Sequence, residues 1–376
     1  MSVVSQHEAA RHGAAQQRLI TLADRAPTPA RAKPVAAPRV IGVAAALFER
    51  WLKMASGNLG AGWEALVAQR AGYDALVDAT EEIDRFCSST DWILPLHRQL
   101  GTGSLIVQVD EGAALAVTRL PGRDRRCLLC GVDVMWGYAR PVVGPDLDAG
   151  VELVERLLVD QRHDSYGLLL AGVVAHTAFA VRITDRLRMR LVSVAEPVGR
   201  RVAWLDGGME AYLARRSPVF RRNARQAAGR AKRAGVHFQW IRGGGPEVVE
   251  RAIRVERASW KGRQGSGLSD PAFGRFYLDL AAGLEDTHRL RAGFAVLGRQ
   301  DVGYILGAVR GDSYRGLQIS YSSHFPALSL GNLLQLGQIA ELVSEGIGRY
   351  DLGMDMPYKA SWSDELFVTE TLVLRA

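Results

Sequence analysis

The stretch from Gly316 to Gly346 limits the choice of fold most, because its hydrophobic period changes once along its length. Apolar and polar side chains alternate at first, which predicts a β-strand; the alternating residues are Leu317, Gln318, Ile319, Ser320, Tyr321 and Ser322. A loop with Pro326 and Gly331 follows, and from Asn332 apolar residues recur at helical spacing. The first N–H groups of such a helix have no intrahelical partner, and its dipole is positive there. The stretch therefore predicts a turn that can hold a phosphate, although many strand–loop–helix units bind nothing.

The composition bounds the class of protein without identifying a ligand. The chain has 376 residues, enough for two domains and a tail, and 48% of them are hydrophobic. A net charge of +7 indicates a polyanionic partner, which could be nucleic acid, anionic lipid or a phosphorylated cofactor. Three cysteines provide no disulfide framework, and Cys127 and Cys130 form a lone CxxC in an apolar run, so we expect buried thiols and no metal.

Two apolar segments, 40–48 and 168–181, are too short to cross a bilayer, which takes about 20 residues. With so few cysteines and no convincing signal peptide, we expect a cytoplasmic protein. Peripheral contact with a membrane stays open.

The pattern along the chain predicts a tail and two α+β domains. Residues 1–39 are rich in Ala, Arg, Pro and Gln, which is typical of a disordered tail. Residues 40–84 predict an N-terminal helical extension. Residues 85–210 mix helices with short strands in a first domain, and the helical run that leads into it, 78–100, is expected to break near Pro95.

The segment 211–245 predicts a basic helical connector, since it contains no acidic residue and is helical in pattern from about Pro218. Arg221 and Arg225 fall on one face, and Arg222 extends it. Because guanidinium groups match phosphate geometry, these three arginines are candidate phosphate ligands. A helix face in contact with solvent explains the same pattern.

Residues 246–376 predict the order helix, helix, three strands, helix, strand, strand. Asp270 and Pro271 are typical of a helix start. The expected strands are 290–297, 302–309, 314–322, 349–352 and 366–374.

Several short motifs in this order resemble a known group of enzymes. They are Trp136-Gly-Tyr138, the basic stretch Phe220-Arg-Arg-Asn-Ala-Arg225, Ser259-Trp-Lys-Gly262, Gly265, Asp270-Pro271, Phe276-Tyr277, and Tyr350-Asp-Leu-Gly-Met-Asp355 with Tyr358-Lys359. Together they resemble the FemAB-like acetyltransferases of the GNAT superfamily, which include the cellulose-biosynthesis-type (CelD/BcsL) enzymes. The resemblance covers roughly Phe86 to Leu374. It implies tandem GNAT-like domains, each a mixed sheet flanked by helices, with the catalytic site in the second.

The resemblance implies a donor and a set of site residues. The donor would be acyl-CoA, with its pyrophosphate at the helix start and a backbone N–H of the 317–322 strand on the carbonyl oxygen. The implied cofactor-binding residues are Ser320, Ser322, Ser329, Leu330, Gly331 and Asn332. The implied catalytic residues are Asp351 or Asp355 as base and Tyr321 as acid. The implied substrate residues are Trp260, Lys261, Tyr358 and Lys359.

Each of these roles has a structural alternative. An aspartate at a strand end is a common turn residue, Tyr321 and Trp260 can be packing residues, and Lys261 can face solvent. Two departures from the family pattern concern the site itself. Leu330 stands where the family often has Pro, and the stretch between Asp351 and Asp355 is one residue shorter than usual.

These features predict an N-acyltransferase that moves an acyl group from acyl-CoA to an amine of a small molecule or of a polysaccharide or cell-envelope precursor. A tRNA-dependent aminoacyl transferase of the FemX type is the alternative, and the basic helix suits it. A non-catalytic GNAT-fold partner in exopolysaccharide production is the third reading.

Overall fold

The computed structural model describes residues 60–376 apart from 102, 123–124, 134–135 and 196. The predicted tail and the predicted helix at the start of the extension lie outside the described residues. By their contacts the described residues form two compact units. Among the described residues, unit 1 contains Arg201–Asp270 and Glu285–Glu365; unit 2 contains residues 60–200, Pro271–Leu284 and Leu366–Ala376.

Unit 2 is built from helices and a mixed sheet. Its helices are α1 (Gly60–Ala68), α2 (Arg70–Ala79), α3 (Arg85–Ser88), α4 (Thr90–Leu100), α5 (Leu147–Asp160), α6 (Ala178–Arg186) and, from later in the chain, α11 (Pro271–Leu284). Its strands are β1 (Leu105–Val109), β2 (Ala114–Pro121), β3 (Cys127–Gly131), β4 (Val142–Val143), β5 (Ser165–Val174), β6 (Leu191–Val194) and β13 (Glu365–Arg375). The strand order is β1-β2-β3-β5-β13, with β4 on β2 and β6 on β13. Helices α5 and α6 cover the core of this sheet.

The predicted break near Pro95 is wrong, because α4 continues through that residue. A proline inside a helix costs about 3 kcal/mol. Packing offsets this cost: α4 is buried along most of its length, and the Trp92 ring meets the Phe276 ring of α11 with 4.9 Å between centroids. The chain breaks instead before α3, where the Asp84 carboxylate accepts from the Cys87 N–H at 3.0 Å as an N-cap.

Most elements of unit 1 agree with the prediction, but Val236–Arg242, inside the segment 211–245 that was expected to be a helical connector, forms a strand. Its helices are α7 (Gly208–Ala214), α8 (Pro218–Arg233), α9 (Pro246–Arg257), α10 (Trp260–Arg263) and α12 (Leu330–Ser344). Its strands are β8 (Val236–Arg242), β9 (Leu290–Leu297), β10 (Gln300–Arg310), β11 (Ser313–Tyr321) and β12 (Arg349–Met354), and β7 (Val198–Trp204) enters it from unit 2. The order β12-β11-β10-β9-β8 is antiparallel except for the parallel pair of β11 and β12. The predicted α+β architecture with mixed sheets is confirmed.

Helix α8 is the predicted basic helix. The Ser217 hydroxyl accepts from the Phe220 N–H and Pro218 occupies the first turn, so the start is fixed by local chemistry. Its apolar stripe is narrow: Ala227 and Ala231 pack against a cluster that includes Leu330 and Leu333 of α12. Small alanines let the two helices approach closely, which positions the start of α12.

The contact units divide the chain differently from the predicted domains. The predicted second domain, 246–376, includes α11 and β13, whereas both elements have their contacts in unit 2. Contact units group residues by their contacts and do not test domain boundaries. The predicted domain boundaries therefore stay a prediction.

A buried ion pair ties the start of α8 to the end of unit 1. Arg216 is 5% exposed and donates through Nη2 to the Asp364 carboxylate and through Nη1 to the Ser363 carbonyl at 2.6 Å. Arg215 donates to the same carboxylate at 2.9 Å. Burial lowers the pKa of Arg216, which shows that its surroundings penalise the charge. Asp364 therefore supplies a counter-charge that this site needs.

Replacing Asp364 with Asn should destabilise the protein by about 3 kcal/mol, because a buried guanidinium keeps its charge and loses its counter-ion. Glu365→Gln is the matched control, since Glu365 only accepts from the half-exposed Trp204 indole at 3.1 Å. It should cost less than about 0.5 kcal/mol. Urea unfolding gives both values. Equal midpoints for the two variants would contradict this role of Asp364.

Candidate active site

Strands β11 and β12 part from each other and leave a wedge in the sheet of unit 1. They pair over three residues only, from Ser313 opposite Arg349 to Arg315 opposite Asp351. Beyond that point β11 continues to Tyr321 and β12 to Met354. No pairing between these two continuations is found within the described residues. Backbone groups along the two walls of the wedge therefore need other partners.

The wedge begins at a buried carboxylate. Asp351 is 1% exposed, and its Oδ1 accepts from Arg315 Nη1 at 3.1 Å and from the Gly353 N–H at 2.7 Å. Its Oδ2 lies 3.5 Å from Arg349 Nη2. Gly353 has φ of +77°, and a Cβ there would lie 2.6 Å from Arg315 Nη1, so a side chain would collide with the ion pair. These contacts lie at the last paired position of β11 and β12, where the wedge begins.

Both predicted bases stand on β12 or just after it, but their surroundings differ. Both oxygens of Asp351 are engaged by donors in a dry site. Asp355 pairs with Arg201 at 2.7 Å, and its side chain is 37% exposed. A base must reach its substrate, so the geometry favours Asp355 over Asp351 for that role. The base role of either residue stays a prediction.

Two lysines bond to backbone carbonyls on opposite walls of the wedge. Lys261 Nζ donates to the Ile319 carbonyl at 3.1 Å and to Gln318 Oε1 at 3.0 Å, both on β11. Lys359 Nζ donates to the Leu352 and Met354 carbonyls of β12 at 2.7 and 2.9 Å. The structure thus brings these two predicted substrate residues to the place where the strands diverge.

The aromatic residues that precede the lysines are exposed. Trp260 is 50% and Tyr358 is 53% exposed, so neither is a core residue. An exposed aromatic ring beside a half-buried cation can contact the apolar or sugar part of a ligand. Their predicted role as substrate residues is compatible with this position.

The start of α12 has the features of an anion cradle. The helix begins at Leu330, two residues before the predicted start, because Ser329 adopts a left-handed conformation with φ of +53° and ends the short turn before it. The N–H groups of Asn332 and Leu333 donate to the Ser329 carbonyl. Those of Leu330 and Gly331 donate to no described residue. Two N–H groups at a helix start are therefore available to a ligand.

Tyr321 lies against this helix start. A Cβ on Gly331 would be 3.0 Å from Tyr321 Cε1, so glycine lets the ring and a ligand approach closely, and a methyl group there would require a small shift of the ring. Tyr321 is 36% exposed, which leaves its face accessible. The predicted acid is thus next to the cradle.

The predicted phosphate arginines do not bond to the cradle, and a fourth arginine does. Arg230 donates from Nε to the Ala327 carbonyl at 2.8 Å and from Nη2 to Ser329 Oγ at 3.1 Å. Its helical position, on the flank of α8 that faces the loop, is a tertiary fact that the sequence alone could not supply. Arg221 instead donates to the Leu213 carbonyl at 3.2 Å at the end of α7.

Arg222 and Arg225 have buried guanidinium nitrogens that are not hydrogen-bonded to any described residue, which is unusual for arginine. The Nε and Nη1 atoms of Arg222 and the Nε atom of Arg225 are buried and have no hydrogen-bond partner among the described residues. Buried donors without an acceptor cost free energy, so an acceptor from a ligand would stabilise them.

The two predicted serines of β11 and the following turn are both buried. Ser322 Oγ lies 3.3 Å from His324 Nδ1 and accepts from the His324 N–H, so it shapes the turn. Ser320 Oγ has no partner in the structure. Ser320 is therefore the one of the pair with an unused donor.

Within the described residues no group of three or more His, Cys, Asp or Glu side chains could hold a metal ion. No described helix is long and apolar enough to cross a membrane.

The region that contains the wedge and the start of α12 is similar to a known protein family. Residues 218–360 match the family profile described as acetyltransferase (GNAT) domain. The chain contains a GNAT acetyltransferase domain. This stretch includes the wedge and the start of α12, and the protein is an acyltransferase whose domain implies an acyl-CoA donor. No curated protein matches the chain.

Solved structures support the fold over most of the chain. A conserved protein of unknown function from Bacteroides thetaiotaomicron superposes with a TM-score of 0.59 at 11% identity, covering 82% of this chain and 97% of that one. A FemX structure gives 0.59 at 12%, covering 81% and 96%. L-PGS from Bacillus licheniformis gives 0.50 at 13%, covering 81% and 91%. At these identities the likeness concerns the fold alone, and it agrees with the predicted α+β architecture.

We expect Lys359 to make the folding stability depend on pH. Burial and the nearby charge of Arg315 lower the pKa of Lys359 to about 8, against about 10.4 in an unfolded chain. Between these values the unfolded state holds the proton and the folded state releases it, so folding stability rises with pH. The difference in unfolding free energy between wild type and Lys359→Met should therefore grow from pH 8 to 10.5.

Denaturant unfolding at several pH values measures this difference. Lys232→Met is the control, because Lys232 is exposed on α8 and should show no such slope. Parallel curves for wild type and Lys359→Met would mean that Lys359 titrates normally.

Proposed function

We propose that the protein is an N-acyltransferase that moves an acyl group from acyl-CoA to an amine of a small molecule or of a polysaccharide or cell-envelope precursor. The observation that carries the proposal is the unused N–H pair of Leu330 and Gly331, beside Arg230, at the start of α12. This end of the helix attracts an anion such as the CoA pyrophosphate.

The chemistry follows from the wedge. The amine attacks the thioester carbonyl carbon, the C–S bond breaks, and the thiolate leaves. A base removes the amine proton, for which Asp355 is the more accessible of the two aspartates. An acid returns a proton to the thiolate, and Tyr321, next to the cradle, is the proposed group. Backbone N–H groups on the free part of β11 are the proposed donors to the carbonyl oxygen.

Gly331 provides the direct test of the cradle. Gly331→Asp should weaken acetyl-CoA binding at least about tenfold, because it adds a carboxylate beside the phosphates. Gly331→Ala is the matched control: its Cβ meets only the Tyr321 ring, which is partly exposed and can shift, so affinity should change little. Calorimetry measures both, with melting temperatures to show that the variants fold. Equal affinity of the Asp and Ala variants would remove this cradle from the proposal.

A tRNA-dependent aminoacyl transfer of the FemX type is the second candidate. It is supported by the likeness of fold to FemX and by the unpartnered guanidinium atoms of Arg222 and Arg225. Phosphate oxygens of a nucleic acid would satisfy those donors. A non-catalytic role in exopolysaccharide production is the remaining candidate, and it predicts no turnover with either donor.

The double variant Arg222→Gln, Arg225→Gln separates the candidates. If a nucleic acid binds there, affinity for charged tRNA should fall and the salt dependence of binding should become shallower by about one unit of log–log slope per lost contact. The exposed pair Lys232→Gln, Arg233→Gln is the matched control for net charge. Titrations at several salt concentrations measure the slopes. An equal loss in both double variants would indicate a non-specific charge effect and would count against the tRNA reading.

A further inference from the structure

The two lysines of the wedge have a common feature that their hydrogen bonds do not explain. Lys261 and Lys359 are both half-buried. Each ammonium group donates two hydrogen bonds to uncharged oxygens, out of the three that it can donate. Each therefore keeps one donor in the wedge. The two side chains come from opposite walls, so these remaining donors belong to one region of unit 1.

Neither lysine forms a direct ion pair with an acid of the described residues, although the charges of Asp351 and Asp355 act on Lys359. The acids near them are committed elsewhere: Asp351 pairs with Arg315 and Asp355 with Arg201. Glu256, whose charge raises the pKa of Lys261 against the larger effect of burial, is itself fully buried. Its carboxylate accepts from the Leu268 N–H at 2.9 Å and from the Tyr304 hydroxyl at 2.9 Å, and it forms no ion pair with Lys261.

A half-buried cation that no carboxylate contacts directly is costly. Burial and Arg315 lower the pKa of Lys359, Asp351 and Asp355 oppose this shift, and Lys261 adds the smallest lowering effect, so the two lysines share one electrostatic environment. An exposed lysine would avoid this cost by extending into water. Both lysines instead remain in the wedge, which is where the proposed function places the reacting groups.

We infer that Lys261 and Lys359 form a subsite for a carboxylate or phosphate carried by one of the two substrates. The inference rests on the proposed function for the identity of those substrates. The anionic oxygens would take the two unused ammonium protons and neutralise the pair. The flanking rings of Trp260 and Tyr358 would contact the uncharged part of the same substrate.

Two sources of the anion are compatible with this chemistry. It can belong to the acceptor, as in an amine that carries a carboxylate or a phosphate. It can instead belong to the donor, as in the CoA thioester of a dicarboxylic acid. The two sources differ in which binding measurement depends on the lysines.

The test compares Lys261→Met and Lys359→Met with Lys232→Met, whose lysine is exposed on α8. The acceptor arm titrates inorganic phosphate and malonate into protein saturated with CoA, which already fills the cradle. The donor arm compares the affinities of succinyl-CoA and acetyl-CoA. Ionic strength is kept constant. Where a Met variant fails to fold, Lys261→Gln or Lys359→Gln replaces it, and the matching Lys→Arg variant, which retains the charge, should bind the probes more tightly than the Gln variant.

An anion on the acceptor predicts that phosphate or malonate binds the CoA complex of wild type and Lys232→Met, and at least tenfold more weakly in both wedge Met variants. An anion on the donor predicts that succinyl-CoA binds about tenfold more tightly than acetyl-CoA, and that this preference disappears in the wedge Met variants.

The inference fails if folded wedge variants that bind CoA retain wild-type affinity for every probe, or if wild type shows neither effect. It also fails if Lys232→Met loses as much as they do. If wild type does not bind CoA at all, the proposed function is contradicted, but this result alone does not contradict the lysine subsite. Phosphate titration without CoA then still decides whether the lysine pair is an anion subsite.

Discussion

The parting of β11 and β12 is the constraint on which the rest of the site depends. Two adjacent parallel strands that stop pairing leave carbonyl and N–H groups without partners, which is unfavourable unless something else bonds to them. The ion pair of Asp351 and Arg315 lies at the last paired position of the two strands, and Gly353, with a left-handed φ, follows it on β12. Lys261 and Lys359 then bond to the carbonyls that the separation leaves free. A structural defect of the sheet thus becomes a polar cleft lined by backbone and by cations.

Placing the acid of this ion pair inside the fold has a consequence for the chemistry of the cleft. A carboxylate engaged by two arginines and a backbone N–H serves to hold backbone geometry, and its burial keeps substrates away. The cleft itself is then left with positive charge on both walls, since the nearby acids are used elsewhere. An electropositive cleft concentrates anionic ligands and strengthens their binding as water is excluded.

Local sequence patterns predict most of unit 1, because its elements are fixed by local chemistry. The period change within 316–346 and the helix expected from about Pro218 each depend on a few neighbouring residues, and the observed elements agree with them. The exact start of α12 was missed by two residues because a left-handed serine is not a pattern that periodicity reveals. The break expected near Pro95 failed for the opposite reason: burial against α11 overrides the local cost of proline.

The charges show most clearly where sequence reasoning stops. The segment 211–245 contains no acid, and from the sequence its arginines are indistinguishable from one another. The structure gives them separate uses: Arg216 pairs with Asp364, which is 148 residues away, Arg221 bonds to the end of α7, and Arg230 reaches the loop before α12. Ion pairing over such separations depends on the whole fold. Net charge therefore overstates what is available to a polyanion.

Two groups of cations in the described part of unit 1 remain candidates for binding an anion after these pairings. One consists of the unpartnered atoms of Arg222 and Arg225, and the other is the lysine pair of the wedge. These cations have different surroundings. The wedge lysines already bond to backbone oxygens, which hold their side chains in place. Binding an anion therefore costs little additional side-chain conformational entropy. The arginine atoms have no acceptor and would gain full hydrogen bonds. On this physical ground the arginines suit an extended polyanion that reaches several donors, whereas the wedge suits a single small anionic group held beside the reacting amine.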